Sequence, residues 1–275
     1  MPYKNKNIDF GMNKSILDRN KMKEDSDNLE IGLGLKYHPV AVKIFFDKSE
    51  FAECEIPVMK GKASYCQMVL RAGKGEVLKS TLENHICDGA TTALALENSN
   101  SKIESGEEYF SYNLYGSKSS ARRMRESIQS FRHDVTTAYG VLVGNLNDFP
   151  IVPDVIIFIV NPYQAMRLSQ GYVYRYGVKP KLDMGGMQAV CSELTVVPMK
   201  SGDMNISTFC PSTRMLCKWE DSEMGVSIPF EKLDELVQGI FGTMNTTDNK
   251  KRKLEIIERF KQNGKEIDLD PDVGY

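Results

Sequence analysis

No two cysteines of this chain stand in a CxxC frame, and that absence removes the usual zinc-knuckle signature. The closest pair, Cys210 and Cys217, flanks Pro211-Ser212-Thr213-Arg214-Met215-Leu216. Long apolar runs are missing as well. The longest strongly apolar stretch, Val155 to Val160, is far too short to cross a bilayer, which takes about 20 residues, so no membrane partner is expected. Nor is there an excess of charge. The 35 Lys and Arg against 37 Asp and Glu leave a net charge of −2, which gives no general attraction to nucleic acid. The start, Met1-Pro2-Tyr3-Lys4-Asn5-Lys6, has charge but no apolar stretch behind it. A signal peptide is therefore not expected, and the reading is a cytoplasmic protein. The glycines at 32 and 34, and at 73 and 75, complete neither a Walker loop nor a dinucleotide fingerprint. No internal repeat is visible, and no Pro-, Gly- or Ser-rich linker divides the chain.

What is present is six cysteines in 275 residues. A disulfide scaffold belongs to short secreted chains, so in a reducing cytosol these are free thiols, metal ligands or redox centres. A buried structural cysteine looks like a small hydrophobe among hydrophobes. Four of the six stand instead in polar or Gly/Pro-containing frames: Ser64-Tyr65-Cys66-Gln67, His85-Ile86-Cys87-Asp88-Gly89, Val190-Cys191-Ser192-Glu193 and Phe209-Cys210-Pro211-Ser212. Four thiols are what one iron–sulfur cluster or one zinc ion needs. A ligand set drawn from four separate segments has to be assembled by the tertiary fold.

The pattern predicts mixed helices and strands. A helix is expected from near Asn13 to about Leu35, with the polar stretch Lys21 to Asn28 allowing two shorter pieces; His38-Pro39 stops it. Val40 to Phe46 reads as a buried strand. Ser64 caps a helix through Cys66 that ends at Gly73-Lys74-Gly75, and Glu76 to Ser80 is a short strand. Asp88 is the expected cap of a small-residue helix from Ala90 to Leu96, which places Cys87 at a helix start. A helix follows from Ser117 to about His133, then strands at Gly140 to Val143 and Val155 to Val160. Asn161-Pro162 opens the next helix, Gly185 to Cys191 reads as a flexible approach, and Asn205 to Cys210 alternates like a strand. Helices from Phe230 to Phe241 and Lys250 to Lys261 complete the chain. Without regular βαβ alternation, this is an α+β fold, a single domain with a mixed or antiparallel sheet, packed helices and a C-terminal helical tail. Its expected parts are a helical segment over 1–38, a main domain over 39–245, and a basic helix with an acidic tail over 246–275.

Several stretches together resemble an uncharacterised prokaryotic family, domain of unknown function 169. They are Pro39-Val40-Ala41-Val42-Lys43, Tyr65-Cys66-Gln67, His85-Ile86-Cys87-Asp88-Gly89-Ala90 and Asn161-Pro162-Tyr163-Gln164-Ala165-Met166-Arg167-Leu168, followed by Val190-Cys191-Ser192-Glu193, Phe209-Cys210-Pro211-Ser212-Thr213-Arg214 and Asp221-Ser222-Glu223-Met224 leading to Ile228-Pro229. They cover most of the chain between about Val40 and Gly242. The resemblance implies a cysteine set of Cys66, Cys87, Cys191 and Cys210, with Cys54 and Cys217 outside it. The chain departs at Pro211-Ser212, where the family more often shows Asn-Gly. The resemblance names no reaction.

Soft thiolates select iron–sulfur clusters, zinc or Cu(I). Dispersed cysteines near helix starts, with backbone N–H groups at hand, fit a [4Fe–4S] cluster better than zinc, and a metal-free arrangement stays open. In that bland alternative Cys66 packs a helix face, and Cys191 and Cys210 lie within the sheet. His85 is either a donor to a cluster sulfide, a base beside a thiol, or a plain loop histidine. Asn161, Gln164 and Arg167 follow the end of a buried strand and either hold a carboxylate or phosphate or simply cap and pack. Arg214 is a second anion-binding candidate. The leading expectation is an iron–sulfur protein in electron transfer, or in redox chemistry on a small anionic molecule. Cys54 or Cys217 could replace a misplaced ligand. The alternatives are a metal-free small-molecule-binding protein or thiol-dependent enzyme, and an accessory subunit working with a redox partner protein.

Overall fold

In a computed structural model, residues 19–274 are described. The expected strands form because their apolar residues alternate onto two covered faces. β1 (Val40–Phe45), β2 (Val77–Ser80), β3 (Gly140–Asn145), β4 (Val155–Val160), β5 (Asn205–Ser207) and β6 (Met224–Pro229) make one sheet in the order β2-β3-β1-β4-β6-β5. Every pairing is antiparallel, so the open choice between mixed and antiparallel resolves to the latter. β6 was not anticipated, because Met224-Gly225-Val226-Ser227 interleaves apolar with small residues and shows only a weak strand pattern.

The alternation separates two cores. Val40, Val42 and Ile44 of β1 and Val155, Ile157 and Ile159 of β4 face one layer, which also holds Cys66 and Cys191. Ala41, Phe45, Ile156, Phe158 and Val160 face the other, under the helices Arg19–Leu33, Pro162–Val173, Leu233–Thr247 and Lys250–Gln262. The first of these helices runs unbroken through the polar stretch, because its buried Met22, Ser26, Leu29 and Leu33 recur at helical spacing on one side. The expected part before Arg19 lies outside the described residues. Ile256 and Phe260 of the basic C-terminal helix pack into the same layer as Leu29.

The helices Pro162–Val173 and Leu233–Thr247 meet at two glycines. A Cβ on Gly239 would stand 2.0 Å from the Gly171 carbonyl oxygen, and one on Gly171 would stand 2.5 Å from Cγ1 of Ile240. Neither site has room for a methyl group. Gly239→Ala is therefore expected to destabilise by about 1–3 kcal/mol, the usual cost of overpacking, despite alanine's better helix propensity. A urea titration checks it, and an unchanged or raised midpoint would show that the two helices part easily.

The helix expected from Ser117 to about His133 ends at Ser127, and the surroundings of three cysteines also differ from expectation. Cys87, not Asp88, is the cap of the helix Asp88–Ala93, so the thiol sits one residue nearer the helix than expected. Cys210 caps the helix Pro211–Cys217 instead of ending a strand, since β5 stops at Ser207 and Pro211 is preset for a first helical turn. The Gly185 to Cys191 segment is held, not loose: Gly185 and Gly186 donate their N–H groups to Glu193 Oε1 at 2.6 and 2.8 Å. Cys191 then lies in π-helical turns spanning Ala189–Val196, every residue of which is buried. Cys191 and Cys210 accordingly lie in helical turns beside the sheet and not within it.

Candidate cofactor site

The four cysteines expected to act together line one cavity of about 760 Å³. Each arrives by a different local device. Ser64 caps the helix Tyr65–Ala72 with a reciprocal box to Gln67, and its Oγ lies 3.0 Å from Cys66 Sγ. Cys87 arrives at the start of its own helix. Cys191 is brought in by the π-helical turns, whose preceding residue, Gln188, takes the left-handed conformation at φ +49°. Such turns are rare and concentrate at functional sites. Cys210 contacts Thr213 Oγ1 at 3.1 Å, and Thr213 also bonds Cys66, which ties two of the walls together. A second tie joins the others: Cys191 Sγ lies 3.5 Å from the Gln188 carbonyl oxygen and 3.9 Å from that of Gly89, two residues after Cys87.

The electrostatics differ from thiol to thiol. A hydrogen bond donated by Cys217, with further ones from Ser64 and Thr213, outweighs burial and pulls the Cys66 thiol down to about 6. Its donor, Cys217, is pushed up correspondingly. Cys87 and Cys191 are both raised, first by burial and then by the neighbouring thiols. Cys217, two helical turns after Cys210, was outside the expected set; its spacing from Cys210 within one helix was the available signal.

Among the described residues, no three His, Cys, Asp or Glu side chains are gathered tightly enough to hold one metal ion. Tetrahedral zinc with bonds of about 2.3 Å draws its sulfurs to about 3.8 Å from one another. A cluster instead spreads its four thiolates around a larger inorganic core.

A family model described as the uncharacterised ArCR family, domain of unknown function 169, matches residues 28–239. The chain belongs to this family. An uncharacterised protein of Methanocaldococcus jannaschii is 24% identical over 226 residues, which are 82% of this chain and 95% of that protein. No solved structure matches. The matched span contains all four cavity cysteines and the helix carrying Arg167.

The remaining expected site residues lie elsewhere. His85 is buried off the cavity wall, its Nε2 3.1 Å from Ser80 Oγ, and burial pushes its imidazole down to about 4. Arg214 donates to the carbonyl oxygens of Thr208, Glu220 and Glu223, at 2.8 to 3.0 Å, and so braces the loop before β6. Asn161, Gln164 and Arg167 sit on the opposite face of the sheet. Asn161 and Gln164 form a reciprocal cap, and Gln164 Nε2 donates to the carbonyl oxygens of Leu33 and Gly34. Arg167, 1% exposed, donates to Gln170, Thr243 and the Ile240 carbonyl, and its Nε stands 3.4 Å from Asp248 Oδ2. Besides capping and packing the helices, these three residues line a small cavity of about 180 Å³ together with Tyr163, Arg252 and Arg259. Among the described residues no helix is long and apolar enough to cross a membrane.

Proposed function

We propose that this protein holds an iron–sulfur cluster of the [4Fe–4S] type through Cys66, Cys87, Cys191 and Cys210, and works in electron transfer or in redox chemistry at that cavity. One observation carries the reading: four cysteines from four separate segments line a single cavity. The chain contributes more than sulfur. Backbone N–H groups of Gly89 and Ala90 at its helix start bond the Cys87 thiol, and Ser64 and Thr213 offer hydroxyls, the kind of outer contacts that tune thiolate ligands. The bound cluster would supply one-electron chemistry. With all four ligands cysteine, no iron position stays open, which favours electron exchange with a redox partner protein over Lewis-acid catalysis.

A thiol-dependent enzyme is the second reading, favoured by the Cys217-to-Cys66 hydrogen bond and the lowered Cys66 thiol. Anaerobic reconstitution with iron and sulfide separates the two. The cluster reading predicts a broad visible absorbance that dithionite bleaches and an electron paramagnetic resonance signal in the reduced protein. A colourless product with one fast-reacting thiol would favour the enzyme.

A further inference from the structure

Two residues that line the cavity each carry a buried side-chain oxygen that no described residue satisfies: Tyr109 Oη and Gln188 Oε1. Tyr109 is 5% exposed and Gln188 7% exposed. An unpaired buried polar group costs about 1–3 kcal/mol, so two on one wall call for a partner that is not protein. The amide orientation is fixed, because Gln188 Nε2 donates to the Gly89 carbonyl oxygen at 2.9 Å and an oxygen there would repel it. The acceptor Oε1 is thereby left without a donor. Burial pushes the Tyr109 hydroxyl up, so it remains a donor. A cluster offers sulfides, which accept; it could answer Tyr109 but never Gln188 Oε1. The lining also contains Asp88 and Glu108 and no Lys, Arg or His. These two carboxylates, with no cation beside them, make a wall that repels anions. Ile103, Leu114, Met187 and Leu216 supply an apolar surround, and the volume lies within the range of about 300–1,000 Å³ usual for small-molecule sites.

We infer that the cysteine cavity also takes a small neutral molecule, mostly apolar, whose N–H or O–H donates to Gln188 Oε1 and whose carbonyl-type oxygen accepts from Tyr109 Oη. This shares the cavity of the cluster reading and turns its substrate class from anionic to neutral. Gly89 belongs to the device: a Cβ there would stand 2.9 Å from Gln188 Nε2 and displace the amide.

Benzamide and benzoate test it, since they share a shape while only benzamide is neutral and carries an N–H donor. Calorimetric titration of the full chain, loaded with iron and sulfide and again after their removal, should show saturable benzamide binding in at least one form. Benzoate should bind about tenfold more weakly or not at all, the scale of one lost hydrogen bond to a buried group. Tyr109→Phe removes only an unpaired oxygen and should fold as the parent does, with benzamide binding weakened about five- to tenfold; Gln188→Met should weaken it similarly. No saturable benzamide binding in either form overturns the inference, as does equal binding of benzoate or unaltered affinity in Tyr109→Phe. A chain that holds iron and sulfide yet ignores benzamide refutes this inference alone. One that binds benzamide but never holds a cluster refutes the cluster alone.

Discussion

Cys191→Ala is expected to leave a folded, colourless protein whose iron falls from about four per chain to less than about one. The side chain is 7% exposed, deep in the layer that packs on β1 and β4. Its thiol makes only long contacts to two carbonyl oxygens, so removing it should change stability by about 1 kcal/mol, the ordinary cost of a point substitution. The control is Cys54→Ala. Cys54 is equally buried but lies in the layer on the other face of the sheet, so its loss should leave absorbance and iron unchanged. Visible spectra and iron assays after anaerobic purification decide it. A Cys191→Ala protein with its full chromophore would remove Cys191 from the ligand set.

The largest effect on stability is expected from Arg167→Met. Arg167 and Asp248 have side chains 1% and 2% exposed, and the pair ties the helix Pro162–Val173 to the end of Leu233–Thr247. Tyr163 also donates to Asp248, and Arg252 stacks over the Tyr163 ring. Methionine fills part of the arginine's volume but leaves the carboxylate buried without its cation. Breaking one side of such a pair costs about 3–5 kcal/mol. For a chain of this size that lowers the melting temperature by about 10 °C. The double variant with Asp248→Asn should recover a good part of the loss, because the uncompensated charge is gone. Thermal melts of the three proteins test the account. A single variant within about 1 kcal/mol of the parent would mean that neither the charge pair nor the hydrogen bonds of Arg167 to Ile240 and Thr243 hold the two helices together.

The sheet was readable in the sequence because β1 and β4 are β-branched and covered on both faces, which leaves runs such as Val155 to Val160 with no helical alternative. Caps were equally plain: Ser64 with Gln67, and Asn161 with Gln164, are reciprocal boxes written three residues apart. That same local legibility explains the ambiguity at Arg167. A residue one turn after a strand end can face a ligand or a neighbouring helix, and the approach of Leu233–Thr247 at Gly239 is visible only in the fold. The Cys191 segment was not legible, because π-helical turns follow no period of 2 or 3.6, and Gln188 at φ +49° has no glycine or asparagine to announce it. For the cavity, number and framing of the cysteines were visible, whereas Tyr109 and Gln188 were not. Their significance is an absence of partners, which exists only once the chain is folded.

A cluster in this cavity requires four thiols acting as one ligand set. The most direct test is to measure iron and acid-labile sulfide per chain in the full-length protein purified without oxygen. About four of each per chain are predicted, falling together in the Cys66, Cys87, Cys191 and Cys210 variants and not in Cys54→Ala. A parent protein free of iron and sulfide, and still free of them after reconstitution, would contradict it.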